Sequence, residues 1–367
     1  MTDRYLEESI ELLRSMVRIP SLSFEETGVR DLISVFLSER GIAHSIERNN
    51  IIAVADGYDP INRPTLALDA HIDTVPANSG YTSDPFEPGD DPTIVRGLGS
   101  NDDGGSVAAM IAVFRKYRSA CLPFNLMLCL TCEEERSGAD GAAWLYAADG
   151  FFAGNAGFAM PDWVIVGEPT GLKAATSERG LLVIDGHAQG VAGHAARGEG
   201  VNALYIAVED IVRLKAHKFG RVSPVLGEVK MSVTQINAGS AHNVVPDACD
   251  FVVDIRPNEL YTNAELTDEL QGICNSTLHA RRLDNRSSVT RQDSPLMRTV
   301  SALGIDTFSS PTTSDWMKIP CCDAVKIGPG ESSRSHTADE YILTQEIADA
   351  VKVYSDIIDN LYGNTLE

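Results

Sequence analysis

Apolar and polar positions follow two rhythms along this chain, and together these rhythms predict an α/β fold. Apolar residues recur every three or four positions, as they do on amphipathic helices, in the segments 9–18, 29–40, 106–118 and 345–361. Short β-rich runs lie at 51–55, 65–70 and 125–132. The runs TLALDA and NLMLCLTC are almost continuously apolar, which is typical of central strands. The sequence therefore predicts a central sheet with helices on both faces.

The pattern changes in the middle of the chain. From about residue 176 the β-rich segments 181–190, 231–239 and 249–257 alternate with the helical segments 201–217 and 264–275. This order resembles a small ferredoxin-like β-α-β-β-α-β sandwich. The α/β rhythm resumes after the polar stretch HARRLDNRSS. Because 367 residues exceed what one core usually organises, we expect two domains. The first is formed by residues 1–175 and 284–367, and the second is an insertion of residues 176–283.

Composition narrows the range of partners. A formal net charge of -22 would repel phosphate backbones and anionic lipid surfaces, and the Lys and Arg residues are scattered along the chain. No apolar run is long enough to span a bilayer, and the first residues form an amphipathic pattern rather than an export signal. Seven cysteines, an odd number, fit reduced thiols better than a disulfide framework. The sequence therefore predicts a cytoplasmic protein with no nucleic-acid or membrane partner.

Polar residues follow the strand segments at their carboxyl ends, where ligands bind in open α/β sheets. His71 and Asp73 come directly after TLALDA, and their spacing of two on an extended segment aims both side chains the same way. The imidazole could bind a metal ion while the carboxylate orients it. An ordinary turn is the alternative, and it is the commoner meaning of a lone His-x-Asp pair.

Two acids, Asp102 and Asp103, lie at the tip of the glycine-rich loop GLGSNDDGG, ahead of the helical segment 106–118. Glycine lets a loop backbone approach a ligand closely. Phosphate is one possible ligand of such a loop, but two acids and no lysine favour a cation. Taken alone, an aspartate that caps the following helix is the simpler explanation.

Further acids and a late histidine complete the candidates. Glu133, Glu134 and Glu135 follow the run NLMLCLTC, Glu168 follows WVIV, and His336 lies in the loop GPGESSRSHTADEY. Each has an ordinary alternative, because acid runs usually form solvated surfaces and a lone loop histidine is more often incidental than a ligand. Closely placed carboxylates repel one another, however, and normally need a cation to share. The motifs therefore have to be judged jointly.

Taken in order, the motifs H-x-D, G-x-G-x-x-D, E-E, G-E-P and S-H-T-A-D-E resemble those of the co-catalytic di-zinc deacylases and exopeptidases. That family includes acetylornithine deacetylase, succinyl-diaminopimelate desuccinylase, aminoacylase and carboxypeptidase G. The resemblance covers essentially the whole chain, and GLGSND, VGEPT, GHAAR, HNVVPD and KIGPG are most similar to the acetylornithine deacetylase branch. It implies a metallopeptidase-like catalytic domain with a central mixed sheet, and an inserted domain that serves as a lid or in dimerisation.

The resemblance also implies the ligands of two metal ions. Asp102 would bridge both ions, His71 and Glu168 would complete one site, and Glu135 and His336 would complete the other. Nitrogen and oxygen ligands without thiolate suit zinc, although cobalt or manganese could substitute. Two Zn²⁺ ions per subunit are therefore the implied cofactors.

Two more acids would act beside these ions. Glu134 would be the general base that takes a proton from water and returns it to the leaving amine. Asp73 would orient His71. A shift of one residue in the run of glutamates would instead make Glu133 the base and Glu134 the ligand, and this alternative stays open. The chain departs from the family pattern in the glycine-rich loop, at Leu98, Asp103 and Gly104.

Five residues outside these motifs are candidates for binding the substrate. His194 of GHAAR resembles a family histidine that reaches across a dimer interface and helps hold the carbonyl oxygen. Asn243 of HNVVPD and Arg256 of DIRP resemble groups that bind the α-carboxylate of the substrate, for which arginine is well suited. Arg179 and Arg334 are further candidates, with a solvated surface charge as the alternative for each. A homodimer formed through the inserted domain is therefore implied.

The implied reaction is hydrolysis of an N-acyl amino acid to the free amino acid plus acetate or succinate. The branch implies N-acetylornithine or a citrulline analogue as the substrate, and arginine biosynthesis as the pathway. A succinyl-diaminopimelate desuccinylase, or a dipeptidase or carboxypeptidase of the same fold, would use the same metal chemistry. A non-enzymatic binding protein would lack a ligand or the base, and none is missing. A nucleotide-binding protein would carry G-x-G-x-x-G or a Walker loop, and neither occurs.

Overall fold

The computed structural model describes residues 4–155, 157–319 and 322–361. Its helices are α1 (Arg4–Val17), α2 (Thr27–Glu39), α3 (Gly104–Tyr117), α4 (Ala142–Leu145), α5 (Phe151–Gly154), α6 (Ala203–Ala216), α7 (Asn263–Gln271), α8 (Pro295–Ala302) and α9 (Thr344–Leu361). Its strands are β1 (His44–Glu47), β2 (Asn50–Val54), β3 (Thr65–His71), β4 (Ile94–Arg96), β5 (Asn125–Thr131), β6 (Trp163–Val166), β7 (Ala174–Glu178), β8 (Leu182–Gln189), β9 (Gly193–His194), β10 (Lys230–Ala238), β11 (Val244–Val245), β12 (Ala248–Arg256), β13 (Thr277–Ala280), β14 (Ser288–Val289), β15 (Thr307–Ser310), β16 (Asp323–Lys326) and β17 (Tyr341–Leu343).

The chain divides into two compact units. The first consists of Met1–Thr176, Thr290–Phe308 and Ser314–Glu367, and the second of Ser177–Val289 and Ser309–Thr313. The sequence-based limits of the insertion, 176–283, lie close to those of the second unit. A role for this unit as a lid or in dimerisation stays a prediction.

The first unit is built on a mixed sheet with the strand order β1-β2-β5-β3-β6-β16. Strand β3 is parallel to both of its neighbours, β5 and β6, whereas β2 is antiparallel to β5. The register pairs His71 with Thr131 and Asp69 with Val166. The carboxyl ends of β3, β5 and β6 therefore meet at one edge of the sheet.

Both faces of the central strands are covered, which explains their continuous apolar runs. Leu66 and Leu68 of β3 belong to one core cluster, together with residues of α1, α3 and α9. Ala67 between them belongs to a second cluster that contains Tyr146 and Phe151. Successive residues of a strand point to opposite faces, so the apolar positions of β3 alternate between the two clusters. The predicted sheet with helices on both faces is confirmed.

The second unit contains a four-stranded antiparallel sheet in the order β10-β12-β8-β13. With α6 and α7 it has the chain order β-α-β-β-α-β, which is that of a ferredoxin-like sandwich. One face carries a core that includes Ile184, Phe251, Leu214 and Leu266. The strand β13 begins two residues before the stretch HARRLDNRSS and includes its first two residues. Its sequence, TLHA, is too short and too polar to stand out as a strand, since Leu278 is its only buried residue.

Two further observations bear on predictions made from composition. Within the described ranges, no helix is both long and apolar enough to cross a membrane. The thiols of Cys121, Cys129, Cys132, Cys249 and Cys274 are not in disulfides, whereas Cys321 lies outside the described residues.

Candidate metal centre

The carboxyl edge of the first unit's sheet gathers side chains from segments far apart in sequence. His71 is the last residue of β3, Glu134 and Glu135 follow β5, and Glu168 follows β6. Asp102 lies in the loop before α3, 31 residues from His71. The parallel register of the three strands is what brings these segments to one place.

Five side chains form two groups of possible metal ligands. His71, Asp102 and Glu168 make one group, and Asp102, Glu135 and His336 make the other. In each group the ligand atoms all lie within 4.8 Å of one another. The residues that the sequence assigned to two metal sites are therefore the ones that the fold brings together.

Asp102 is common to both groups and presents a different oxygen to each. Its Oδ1 lies 3.3 Å from Nε2 of His71, and its Oδ2 lies 3.7 Å from Nε2 of His336. The same nitrogen of His336 lies 2.9 Å from Oε2 of Glu135. A carboxylate placed between two ligand groups in this way can bind two ions at once.

Asp73 lies behind these groups and connects two of the strand ends. Its Oδ1 accepts the backbone N–H of Glu134 at 3.0 Å, and its Oδ2 accepts that of Glu135 at 3.1 Å. The hydroxyl of Ser23 donates to Oδ2 at 2.7 Å, and Nδ1 of His71 lies 3.5 Å from Oδ1. Asp73 is buried, so these contacts are shielded from water. It can orient the imidazole and hold the two glutamates in place.

The electrostatics of the cluster fit a cation. Burial and the nearby carboxylate of Asp102 raise the pKa of Glu168 well above its ordinary value. Burial likewise raises the pKa of Glu134 well above its ordinary value, and the charges of Glu168 and Glu135 add to the shift. Acids gathered this closely destabilise one another unless positive charge lies between them. Imidazole and carboxylate groups without thiolate are suitable ligands for divalent zinc, cobalt or manganese.

Hydrogen bonds to carboxylates favour the charged form of both histidines. Although burial opposes it, hydrogen bonding to Asp102 and Asp73 raises the pKa of His71 well above its ordinary value. Hydrogen bonding to Glu135 raises the pKa of His336. A metal ion would take the place of those protons, because only a neutral imidazole can be a ligand.

Of the three consecutive glutamates, Glu133 and Glu135 have different partners. Glu133 has a left-handed backbone, with φ of 62°. Its carboxylate accepts the backbone N–H of Asp140 at 3.0 Å, and a Cβ atom at Gly138 would lie 2.4 Å from its own Cβ. Glu135 instead meets His336. The side chain of Glu133 is therefore used within its own loop, and Glu134 lies between it and the ligand Glu135.

Asp103, where the chain departs from the family pattern, belongs to neither ligand group. It is almost completely buried, and burial raises its pKa to about 8. The peptide bond that joins it to Asp102 is cis. Of the two acids in this loop, Asp102 is the one that belongs to the ligand groups.

In the second unit, two substrate-binding candidates lie side by side. The short strands β9 and β11 pair His194 with Val244. The carbonyl oxygen of the neighbouring Asn243 accepts the backbone N–H of Ala195 at 3.1 Å. The side chains of His194 and Asn243 belong to exposed residues. These two candidates are therefore available to a ligand.

Two other candidates lie at the far end of β12. Arg179 donates through Nη1 to the carbonyl oxygens of Arg256 and Pro257, each at 3.3 Å, and through Nη2 to that of Leu226. Arg256 itself donates through Nε to Asp254 at 2.9 Å. The strand has nine residues, so at about 3.3 Å per residue its ends are roughly 26 Å apart.

Arg334, the last candidate, lies in the first unit and is paired within the protein. Its guanidinium donates to both oxygens of Glu346, at 2.7 and 3.0 Å, and lies 4.4 Å from the ring centroid of Tyr341. It is neither a solvated surface charge nor an unpartnered cation. A role for Arg334 in substrate binding stays a prediction.

Sequence reasoning missed two residues that support the centre. Ser23 donates to Asp73, and the carboxylate of Glu340 accepts the backbone N–H groups of Asn101 and Asp102. Glu340 follows His336 by four positions in the motif SHTADE, and this proximity was the only signal available. Neither contact can be read from spacing, since each joins segments that meet only in the folded chain.

A mixed sheet whose strand ends gather histidine and carboxylate side chains into possible ligand groups fits a metal-dependent enzyme. The profile of Peptidase family M20/M25/M40 matches residues 67–360, and the chain belongs to this family. The predictions of the family, of an α/β fold with a mixed central sheet flanked by helices, and of metal-dependent amide hydrolysis are confirmed. The inserted lid or dimerisation domain stays a prediction.

The similar proteins include a desuccinylase and a deacetylase. The chain is 25% identical over 381 residues to a succinyl-diaminopimelate desuccinylase of Xylella fastidiosa (strain M23), covering 97% of this chain and 99% of the relative. It is 26% identical over 389 residues to an acetylornithine deacetylase of Proteus mirabilis (strain HI4320), with 96% of each chain covered. Its fold is similar to that of the M20 family metallo-carboxypeptidase Sso-CP2 from Sulfolobus solfataricus, with a TM-score of 0.72 at 15% identity, covering 96% of this chain and 99% of that one.

Proposed function

We propose that this chain removes an acetyl or succinyl group from the nitrogen of an amino acid, with N-acetylornithine or a citrulline analogue as substrate. Arginine biosynthesis in the cytoplasm is the corresponding pathway. The observation that carries the proposal is the position of Asp102 between two ligand groups, with Glu134 beside them. The acetylornithine deacetylase of Proteus mirabilis is among its relatives, and this supports the choice of substrate.

Two zinc ions are the proposed cofactors. His71, Asp102 and Glu168 would hold one ion, and Asp102, Glu135 and His336 would hold the other. When bound there, the two ions would lower the pKa of water and polarise the scissile carbonyl. Cobalt or manganese could take the place of zinc, because the ligand set contains only nitrogen and oxygen.

Glu134 is the proposed general base. It takes a proton from the attacking water and delivers it to the nitrogen of the leaving amine. Its backbone N–H is fixed by Asp73, so the carboxylate is carried by a held segment rather than by a mobile loop. Glu133 is the less suitable base, because its carboxylate accepts a hydrogen bond from the backbone N–H of Asp140.

The positions of the candidate substrate-binding residues support a homodimer. Arg179 and Arg256 lie at one end of β12, a strand roughly 26 Å long, and His194 and Asn243 lie in or next to the short strands β9 and β11, towards its other end. A small N-acyl amino acid is too short to contact both pairs of residues within a single copy of the second unit. We therefore propose that one protomer supplies the arginines to a substrate and its partner supplies His194 and Asn243.

The second unit carries a surface suited to such an interface. On α6, Tyr205 is 68% exposed and Val212 is 61% exposed, with Val208 between them on the same side of the helix. Strand β10 is at the edge of its sheet, and Ile236 on it is exposed. An apolar helix stripe beside an open strand edge is more stable when a second copy covers it.

A desuccinylase is the second candidate, because relatives of similar identity carry the name succinyl-diaminopimelate desuccinylase. A dipeptidase or carboxypeptidase of the same fold would share the metal centre. These activities differ in the pocket that holds the acyl group and the side chain, and the ligand groups are common to all of them.

Steady-state hydrolysis of a substrate panel tests the proposal. The panel is N-acetylornithine, N-acetylcitrulline, N-succinylcitrulline, succinyl-diaminopimelate and a dipeptide, each with zinc-loaded and with chelated protein. We expect zinc-dependent release of ornithine or citrulline. Release of diaminopimelate alone would favour the second candidate, and cleavage of the dipeptide alone would exclude a role in arginine biosynthesis.

A further inference from the structure

The segment that carries His336 is tied to the loop that carries Asp102. Strand β17 pairs with β4 in an antiparallel ladder that matches Tyr341 with Arg96. The ladder continues by one residue, because the N–H of Gly97 donates to the carbonyl oxygen of Glu340 at 2.8 Å. Glu340 therefore lies at the point where this ladder ends and the two ligand-bearing loops diverge.

The Asp102 loop turns sharply after this point. Gly97 has φ of 104° and Gly99 has φ of 74°, a backbone region that favours glycine. A Cβ atom at Gly97 would lie 2.6 Å from the carbonyl oxygen of Pro85 and 2.6 Å from a methyl group of Val17. The turn carries the backbone N–H groups of residues 101 and 102 back towards the segment that follows His336.

The side chain of Glu340 occupies the inside of that turn. Its Oε1 accepts the N–H of Asn101 at 2.8 Å and the N–H of Asp102 at 2.9 Å. The residue is 2% exposed, so water does not compete for these amides. One carboxylate oxygen thus fixes the backbone of the residue whose own carboxylate is shared by both ligand groups.

A second connection joins the same two loops. The side chain of Asn101 accepts the N–H of Glu331 at 3.1 Å and donates to its carbonyl oxygen at 3.2 Å. It also donates to the hydroxyl of Ser335 at 3.4 Å, next to His336 in sequence. Contacts therefore run in both directions between the loop of Asp102 and the loop of His336.

We propose that Glu340 is a positioning residue of the metal centre: it sets the separation of Asp102 and His336 by holding the backbone of one ligand loop against the other. The inference rests on the proposed function, because it requires that these residues bind metal ions. Glu340 itself belongs to neither ligand group. Its effect would pass through the N–H groups of Asn101 and Asp102.

Glu340→Asp and Glu340→Ala test this role. The aspartate keeps the charge but withdraws the acceptor by one carbon–carbon bond, about 1.5 Å. Asp339→Asn is the matched control, because Asp339 is the neighbouring residue and binds the backbone and hydroxyl of Thr82 instead of the Asp102 loop. The readouts are Co²⁺ affinity of the metal-free protein by visible absorption, Tm of the metal-free protein, and kcat and KM.

We expect Glu340→Asp to weaken Co²⁺ binding about 10–100-fold, the usual effect of losing a residue that orients metal ligands. The value of kcat should fall while KM changes little, and Asp339→Asn should bind Co²⁺ like the wild type. If Glu340→Ala does not fold, Glu340→Asp alone decides. A lower Tm with wild-type Co²⁺ affinity would make Glu340 merely structural and overturn the inference. Failure of the wild-type protein to bind Co²⁺ would instead contradict the proposed function.

Discussion

The carboxylate of Asp73 accepts the backbone N–H of Glu134 at 3.0 Å, although 61 residues separate them in sequence. The contact joins the end of β3 to the turn that follows β5. Nδ1 of His71 lies 3.0 Å from the backbone carbonyl oxygen of Asp73 and 3.5 Å from its carboxylate, so the candidate base and a candidate ligand are held by one buried residue. Loss of the Glu134 carboxylate should therefore impair activity, whereas loss of the Asp73 carboxylate should impair zinc binding.

Replacement of Glu134 by Gln should lower kcat by about 10²–10⁴-fold, because the amide cannot accept a proton from water. Fold and zinc content should be retained, since the side chains have the same shape. Steady-state kinetics with metal analysis checks this. Glu133→Gln is the matched control and should retain most of the activity. If Glu133→Gln is inactive and Glu134→Gln is active, the alternative register of the glutamates is the right one.

Replacement of Asp73 by Asn should weaken zinc binding about 10–100-fold. In the wild type each carboxylate oxygen accepts a backbone N–H. In the variant the amide nitrogen of Asn would face one of these N–H groups, and two donors cannot form a hydrogen bond. Competition with a chromophoric chelator measures the affinity. Ser23→Ala removes a single hydrogen bond to the same carboxylate and should have a smaller effect. Equal zinc affinity in Asp73→Asn and the wild type would show that Asp73 does not support the centre.

Hydrophobic patterning was sufficient to predict the sheet of the first unit and the place of its site. The runs that contain β3 and β5 are apolar at nearly every position because both faces are covered, so their ends could be identified as the ligand-binding edge. Because these strands are parallel, the same reasoning places His71, Glu135 and Glu168 at that edge. The ligand roles themselves came from the family resemblance rather than from the pattern.

The supporting residues could not be predicted in this way. Glu340 acts through backbone N–H groups of Asn101 and Asp102, more than 200 residues away in sequence. The short strands β4 and β17 that bring them together have three residues each, too few to show a period. The hydrogen bonds of the candidate Arg179 could not be predicted either, because its acceptors are backbone carbonyl oxygens that only the folded chain gathers.

The proposed dimer predicts that Val212→Glu on α6 yields a monomer. Val212 is 61% exposed in the single chain, so the substitution should leave the fold intact while placing a charge in the interface. Sedimentation velocity measures the mass, and kcat/KM should fall more than tenfold if the partner supplies His194. Val35→Glu on α2, where the side chain is also exposed, should change neither. A dimeric and fully active Val212→Glu protein would exclude α6 from the interface.

Glu8 should make the stability of the protein sensitive to acid. Hydrogen bonds from Arg4, Arg40 and Arg115 lower the pKa of Glu8 from 4.5 to about 2. A lowered pKa in the folded state stabilises the protein fully above about pH 4.5, and this contribution is lost as the pH falls towards 2.

Glu8→Gln should therefore reduce the free energy of unfolding by about 1–2 kcal/mol at pH 7. The difference from the wild type should shrink between pH 4.5 and pH 2, the window set by the lowered pKa. Urea unfolding at several pH values measures it. Glu11→Gln is the control, because the side chain of Glu11 is 74% exposed and contacts Arg14 only at 3.5 Å. A pH-independent difference would contradict the role of the Glu8 charge.

Zinc binding at equilibrium tests the shared ligand Asp102 most directly. Wild-type protein and Asp102→Ala would be dialysed against buffered zinc, and the bound metal would be counted per chain by atomic absorption. We expect two zinc ions per chain in the wild type and a loss of both in Asp102→Ala, because Asp102 belongs to both ligand groups. Wild-type protein that binds no zinc, or Asp102→Ala protein that keeps both ions, would contradict the account.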